Sequence, residues 1–234
     1  MILPEHKALF VHVPKAAGQS VENFLLQSLN KDRKADGPDY LLRPNNNPAK
    51  GPKRLAHLTA LDYVKYEYLS PKEFDDYFKF SIVRNPWSRM VSFYKFRGFS
   101  NLTSFNTFVS KYLPKYFEDE HWFFRPQTDF IFNEEDKLVV DFMGRLEQLD
   151  TDFSKIAQQL SVPFTKLPKS NHSIEKGLIS RKSYNLIRKH PGIIKYISSS
   201  PKNNKKYKEM YNDTSRKIVE NLYQKDIELL GYTF

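Results

Sequence analysis

FVHVPKAAGQSVENFLL, residues 10–26, decides the reading of this chain. Phe10 to Val13 is a short apolar run, and Pro14 breaks it. A loop with one lysine and one glycine follows, then Ser20, and then Val21, Phe24 and Leu25 at helical spacing. The pattern reads as strand, tight loop, helix. Such a unit aims its loop N–H groups and the positive end of its helix at whatever sits above the loop. An anion is the natural occupant, and Lys15 adds a mobile positive charge beside it. The same residues also fit an ordinary strand–helix turn carrying a surface lysine. The Walker arrangement places its lysine directly after the last glycine and needs more glycine. Here Gln19 follows Gly18 and Lys15 precedes it by three positions, so the loop is similar in principle and different in detail.

A second stretch, FKFSIVRNPWSRMVSFY at residues 78–94, repeats the plan. Phe78, Phe80, Ile82 and Val83 read as a buried strand, Asn85 as a helix N-cap and Pro86 as the first helical residue. Met90, Val91 and Tyr94 continue as a helix. Arg84 falls at the carboxyl end of the strand, and Ser88 and Ser92 lie one turn apart. A guanidinium and a hydroxyl at that end suit a second anion. An exposed arginine before a helix with two tolerated serines is the plainer alternative. Two strand–loop–helix units, each with an anion-reading end, imply a ligand with anionic groups at both ends.

On these residues the chain resembles the sulfotransferases, and most closely the branch that modifies carbohydrates. PKAAGQS and RNPWSRMVSFY are similar to that family's two cofactor motifs. The resemblance implies that the first loop holds the 5′-phosphosulfate of PAPS (3′-phosphoadenosine 5′-phosphosulfate) and that the second segment holds its 3′-phosphate. The cofactor residues it implies are Lys15, Ala16, Ala17, Gly18, Gln19, Ser20, Arg84 and Ser92. DFMGRLEQLDTDF at 141–153 and LYQKDIELLGY at 222–232 resemble the family's mid-chain segment and C-terminal helix, with gaps at 31–54 and 182–217. Relatives often carry Thr or Gly where this chain has Ala16-Ala17-Gly18-Gln19 before the serine, which puts any hydroxyl contact there in doubt but leaves the backbone cradle intact.

The fold expected is α/β, a P-loop-like three-layer arrangement with a central parallel sheet flanked by helices, in a single domain over residues 1–234. The absence of cysteine excludes disulfides and thiolate metal sites. The histidines are scattered, and no metal site is expected. MILPEHK does not read as a signal peptide, and no run of apolar residues is long enough for a membrane span. The expectation is a cytoplasmic, bacterial-type enzyme. The net charge of +10 is concentrated: residues 166–217 hold 14 Lys and Arg against 3 Asp and Glu, while the rest hold 23 against 24. That segment reads either as a solvated basic surface or as a border of the active site that steers PAPS and an acidic glycan inward.

Elsewhere, residues 31–54 read as a long polar loop, Leu138 to Phe142 as a strand and 163–182 as loop. Phe105, Phe108, Val109 and Tyr112 mark a helix after Ser104, Phe153 to Leu160 mark another, and 214–230 mark the last. Asp226 lies on the apolar face of that last helix, so it needs a partner, an arginine or backbone N–H groups, in a structural role.

Sulfuryl transfer demands alignment of donor and acceptor and stabilisation of the leaving oxygen, for which Lys15 is the candidate. The acceptor hydroxyl needs a base, and histidine suits neutral pH. Of the six histidines, His57 in RLAHLTALDY resembles the catalytic histidine of the glycan 2-O-sulfotransferases, and His121 is the second candidate. His12 alternates with buried strand residues and fits a structural role. Beside His121, Trp122, Arg125 and Gln127 could contact a sugar, or pack as an aromatic surface loop. Arg181 is a further candidate for closing over the cofactor. The expected partner is a carbohydrate or glycoconjugate acceptor, an acidic one included, and not a nucleic acid. The rival readings are an ATP-dependent kinase with a degenerate phosphate loop and a nucleic-acid binder using the basic segment. The displaced lysine argues against the first, and the lack of an RNA-recognition signature against the second.

Overall fold

The computed structural model describes residues 1–164, 166–167, 181–197 and 206–234. They fall into two compact units, Met1–Arg84 with Arg125–Asn171, and Asn85–Phe124 with His172–Phe234.

The first unit holds a single four-stranded sheet in the order β1 (Ile2–Leu3), β2 (Ala8–Val11), β3 (Phe78–Val83) and β4 (Phe142–Arg145). β1 runs antiparallel to β2, while β2, β3 and β4 are parallel. Phe10 pairs with Phe80 and Phe80 with Phe142, and the Ser81 hydroxyl donates to the Val11 carbonyl at 2.7 Å. All four residues of β2 are buried, which accounts for its unbroken apolar run. Helix α1 (Gly18–Ser28) lays Val21, Leu25 and Leu26 into one core with Phe10 and Phe80. The helix Leu149–Gln159 adds Phe153 and Ile156 to that core. Each such side chain contributes roughly 1.5–3 kcal/mol on burial. The result is the expected α/β architecture, a mostly parallel sheet flanked by helices.

Three expectations shift here. The fourth strand begins at Phe142 and not at Leu138, because Leu138 is spent on a bridge to Phe132 and the Val139 N–H on the Ile131 carbonyl. Gly144 then lets the strand close on β3, since a Cβ there would stand 2.7 Å from Ile82 Cδ1. Residues 31–54 are more ordered than a plain loop, with short turns at Gly37–Tyr40 and Pro48–Lys50, a bridge from Pro44 to Arg54, and a buried Tyr40 whose hydroxyl donates to Glu5. The loop expected at 163–182 lies largely outside the described residues, as do His172 and much of the basic segment, and Arg181 and Lys182 already belong to the helix Arg181–Lys189.

The second unit opens with helix α2 (Pro86–Arg97), capped by the Asn85 side chain accepting from the Ser88 N–H at 3.2 Å, with Pro86 in the first turn as expected. Gly98, in the left-handed region, ends it. Ser104 caps the next helical run, which passes through a π turn at Phe108–Tyr112 before Leu113–Asp119. Phe93, Phe99, Phe108 and Phe124 are buried within this unit. The single helix expected over 214–230 is two, Asp213–Leu222 and Gln224–Leu230. The break falls at buried Tyr223, whose hydroxyl donates to the Phe124 carbonyl at 2.8 Å. Among the described residues, no helix is long and apolar enough to cross a membrane.

Candidate functional site

The crossing from β2 to α1 takes residues 12–17 through an unusual backbone. Lys15 (φ 69°) and Ala17 (φ 64°) are both left-handed, a conformation that costs a non-glycine residue about 1–2 kcal/mol. Such strain persists only where the surroundings enforce it, and it gathers at binding sites. Alternation of left-handed with right-handed residues turns backbone N–H groups into an anion-holding concavity. The Ala16 N–H closes on the Val13 carbonyl at 3.3 Å, and the Ser20 and Val21 N–H groups on the Ala17 carbonyl at 2.8 and 3.2 Å. Gly18 and Gln19 stand in the first helical turn, where no helical carbonyl lies four residues back. The positive end of the α1 dipole therefore adjoins the loop.

Side chains fix this loop from behind. A Cβ on Gly18 would stand 1.9 Å from both Cδ2 and Nε2 of His12, so the imidazole fills the space that only glycine leaves. The His12 ring is held in turn by its Nδ1, which donates to Glu22 Oε1 at 2.6 Å. Glu22 is fully buried on α1, and its second oxygen accepts from Arg33 at 2.6 Å. Burial alone would raise the Glu22 pKa, but His12 and Arg33 hold it down at about 2. Sequence reasoning missed Glu22 and Arg33. The available signal was a carboxylate beside Val21, inside the apolar stripe of α1.

His57 joins the same cluster. It lies in the turn Leu55–His57, buried, its ring edge-on to His12 with centroids 4.5 Å apart. Its Nδ1 stands 3.2 Å from the His12 carbonyl oxygen. A carbonyl can only accept, so Nδ1 carries the proton and Nε2 of the neutral ring is the basic atom. Burial, reinforced by His12, pushes the His57 pKa well below the usual 6.5, which keeps the ring neutral at pH 7.

Arg84 connects the two stretches that the sequence singled out. It follows β3, and its Nη1 donates to the Lys15 carbonyl at 3.3 Å, so the guanidinium lies against the loop between β2 and α1. Gln127 is fully buried and grips the Arg84 backbone from both sides, accepting its N–H at 2.9 Å and donating to its carbonyl at 2.7 Å. The role this geometry supports for Gln127 is to position Arg84. Arg125 is half-buried, donating to Asp129 at 3.2 Å with its guanidinium over the Phe130 ring.

The first unit thus brings together Lys15, Ala16, Ala17, Gly18, Gln19, Ser20, His57, Arg84 and Gln127. Arg125 lies in the first unit as well, and the other predicted residues, Ser92, His121 and Arg181, belong to the second. Ser92 is half-buried on α2, Arg181 opens the exposed start of the helix Arg181–Lys189, and His121 is exposed, donating from Nδ1 to the Phe117 carbonyl at 3.2 Å. Trp122 packs on Phe123, with ring centroids 5.2 Å apart. Asp226, for which a structural partner was expected, has one in Arg89 at 3.9 Å, both side chains fully buried.

An "Uncharacterized protein" of Archaeoglobus fulgidus is similar to this chain, 31% identical over 93 residues that make up 39% of this chain and 74% of that protein. A family model described as "Sulfotransferase family" matches residues 1–233. That match takes in the loop between β2 and α1, the Arg84 segment, the β4 strand and the C-terminal helices together, and the chain belongs to the sulfotransferase family.

Proposed function

We propose that this protein is a PAPS-dependent sulfotransferase of the carbohydrate-modifying branch, a single domain over residues 1–234 that transfers a sulfuryl group to a hydroxyl of a sugar or glycoconjugate. The observation that carries this reading is the loop itself: left-handed Lys15 and Ala17, Gly18 closed beneath His12, and the Arg84 guanidinium seated against the Lys15 carbonyl. This is a polycationic backbone cradle suited to a phosphate-like group at the start of a helix.

PAPS, when bound, supplies the activated sulfuryl group. The residues that would hold its 5′ end are Lys15, Ala16, Ala17, Gly18, Gln19 and Ser20, and those for its 3′-phosphate are Arg84 and Ser92, with Arg181 closing from the basic helix. Lys15 stabilises the charge that develops on the leaving oxygen. His57 takes the acceptor hydroxyl proton at Nε2, a role that its neutral ring and its tautomer suit. His121 and Arg125 contact the acceptor. Gln127 contributes by fixing Arg84.

Titration calorimetry with PAP, the desulfated nucleotide, tests the reading. Binding is expected without Mg²⁺, and radiolabelled sulfate from PAPS is expected to appear on a carbohydrate acceptor. Absence of PAP binding together with Mg²⁺-dependent binding of ATP would replace it with a kinase.

A further inference from the structure

The polar stretch after α1 builds a recess. Residues 43–47 and 66–68, with Lys50 and Leu55, line a groove of about 570 Å³ within the first unit. That is a volume typical of small-molecule sites, which run from roughly 300 to 1,000 Å³. Its walls are tied down. The Asn45 amide nitrogen donates to the carbonyls of Asn47, Gly51 and Pro52 at 2.8, 3.0 and 3.1 Å. The Lys50 ammonium meets the Glu67 carboxylate at 3.2 Å, and the Tyr68 hydroxyl donates to the Lys50 carbonyl at 2.8 Å. A bridge between Pro44 and Arg54 closes the base of the stretch. A ligand entering this groove would not have to order it, which removes part of the usual cost of binding.

The chemistry of the lining selects the ligand. Arg43 and Asn46 are exposed, and among the described residues neither side chain has a hydrogen-bond partner. Glu67 already has its cation in Lys50, so the guanidinium of Arg43 gives the groove a surplus positive charge. Tyr66 and Tyr68 add flat apolar faces with polar tips. Aromatic faces beside amide and guanidinium donors fit a polyhydroxylated ring that carries a carboxylate or sulfate. An apolar ligand would strip water from Arg43 and Asn46 and return nothing.

The groove also shares an element with the proposed base. Leu55 lines it, and Leu55 opens the same three-residue turn that ends at His57. We infer that this groove is the acceptor subsite and that it takes an anionic oligosaccharide, with Arg43 on the carboxylate or sulfate and Asn46 and Tyr66 on the hydroxyls. The assignment rests on the sulfotransfer reading above and extends it to the acceptor.

The test uses the full chain loaded with PAP and a hyaluronan hexasaccharide as the anionic probe, with a chitin hexasaccharide as the neutral control. Calorimetry is expected to show the hyaluronan probe bound at least tenfold more tightly than the neutral one. Arg43→Ala and Asn46→Ala, both at exposed positions, are each expected to weaken it about tenfold and to leave PAP affinity unchanged. If PAP binds but neither oligosaccharide does, the groove assignment falls and the sulfotransfer reading stands. It falls equally if the two substitutions leave hyaluronan affinity untouched, or if the neutral probe binds as well as the charged one. Failure of PAP itself to bind the unmodified protein would remove the functional reading, and the acceptor assignment with it.

Discussion

Glu22 in the first unit and Asp226 in the second are each fully buried against a cation, and the two pairs serve different ends. In the first unit Glu22 is fully buried, with short bonds of 2.6 Å to both His12 and Arg33. In the second unit Asp226 is fully buried 3.9 Å from Arg89, whose guanidinium lies over the rings of Phe93 and Tyr223 at 5.0 and 5.7 Å. Taking charges out of water is expensive in both places, and pairing offsets the cost only in part. The Arg89 pair is surrounded by core and holds core together. The Glu22 pair grips an imidazole that fills the space a Cβ on Gly18 would need, so it braces the backbone of the loop at residues 12–17. The same chemistry therefore holds core packing in one unit and braces the proposed binding loop in the other, and burial alone does not separate the two. What separates them is the neighbour that the ion pair holds.

Substitutions can break that distinction. The largest effect is expected from Asp226→Ala, which removes the buried carboxylate facing Arg89 and should cost about 3–5 kcal/mol of stability in urea unfolding. PAP affinity of the folded fraction should stay within threefold of the parent, roughly 0.6 kcal/mol. A large loss of affinity at retained folding would make the second pair site-forming too, and the comparison would fail. Next comes Lys15→Ala, expected to lower turnover by ~10²–10³ with an unchanged melting temperature. Near-normal turnover would take Lys15 out of the leaving-group role. His57→Ala should lower turnover by about 10² while PAP still binds. Because burial pushes the His57 pKa well below 6.5, activity of the parent should hold as pH drops past 6.5 and fall only further down. Parent-like turnover in the variant would shift the base to His121, and a parent rate that already halves near pH 6.5 would take His57 out of that role. Gly18→Ala should displace the His12 ring, cost about 1–3 kcal/mol of stability as overpacking usually does, and weaken PAP binding. Parent-like affinity would show that the imidazole is not what shapes the loop.

Legibility in the sequence followed the range of the interactions. The start of α2 was readable because Asn85 and Pro86 act on their own first turn. The parallel strand β2 was readable because burial on both faces leaves an unbroken apolar run, and β3 because Phe78, Phe80, Ile82 and Val83 mark it despite Lys79 and Ser81. The left-handed backbone at Lys15 and Ala17 was not, since nothing local marks a lysine or an alanine for that conformation and it is imposed by the closing contacts of the loop. The apolar run Leu138 to Phe142 misplaced the last strand because its first residues are used in a turn against residues 131 and 132. The helical pattern over 214–230 concealed a break that a distant bond from Tyr223 imposes. That Asp226 required a cation was legible from the apolar face around it, but the choice of Arg89 belongs to the tertiary packing. The motif residues Lys15, Gly18 and Arg84 stand out in the sequence, whereas Glu22 and Arg33 carry no motif and announce themselves only once His12 is placed against Gly18.

The smallest expected effect is the sharpest probe of the first pair. The Glu22 carboxyl stands at about 2 in the folded chain against an ordinary 4.5, because His12 and Arg33 outweigh the burial that would raise it. A carboxyl held low contributes stability that is complete above about pH 4.5 and fades as pH falls toward 2. Glu22→Gln keeps the shape of the side chain and removes the charge, so at pH 7 it should lower stability. It should also flatten the stability profile between those two pH values, because the titrating group is gone. Arg33 is partly exposed and can return to water, whereas His12 cannot leave without opening the space beside Gly18. The variant should therefore lose PAP affinity in addition to stability, by a few-fold, while an Arg33→Ala variant loses stability with a smaller change in PAP affinity. Equal losses of affinity in the two would mean that the ion pair acts on the loop through its charge and not through the seat of the imidazole. A Glu22→Gln profile as steep in acid as the parent's would mean that Glu22 is not held low at all, and the contrast with Asp226 would lose its electrostatic basis.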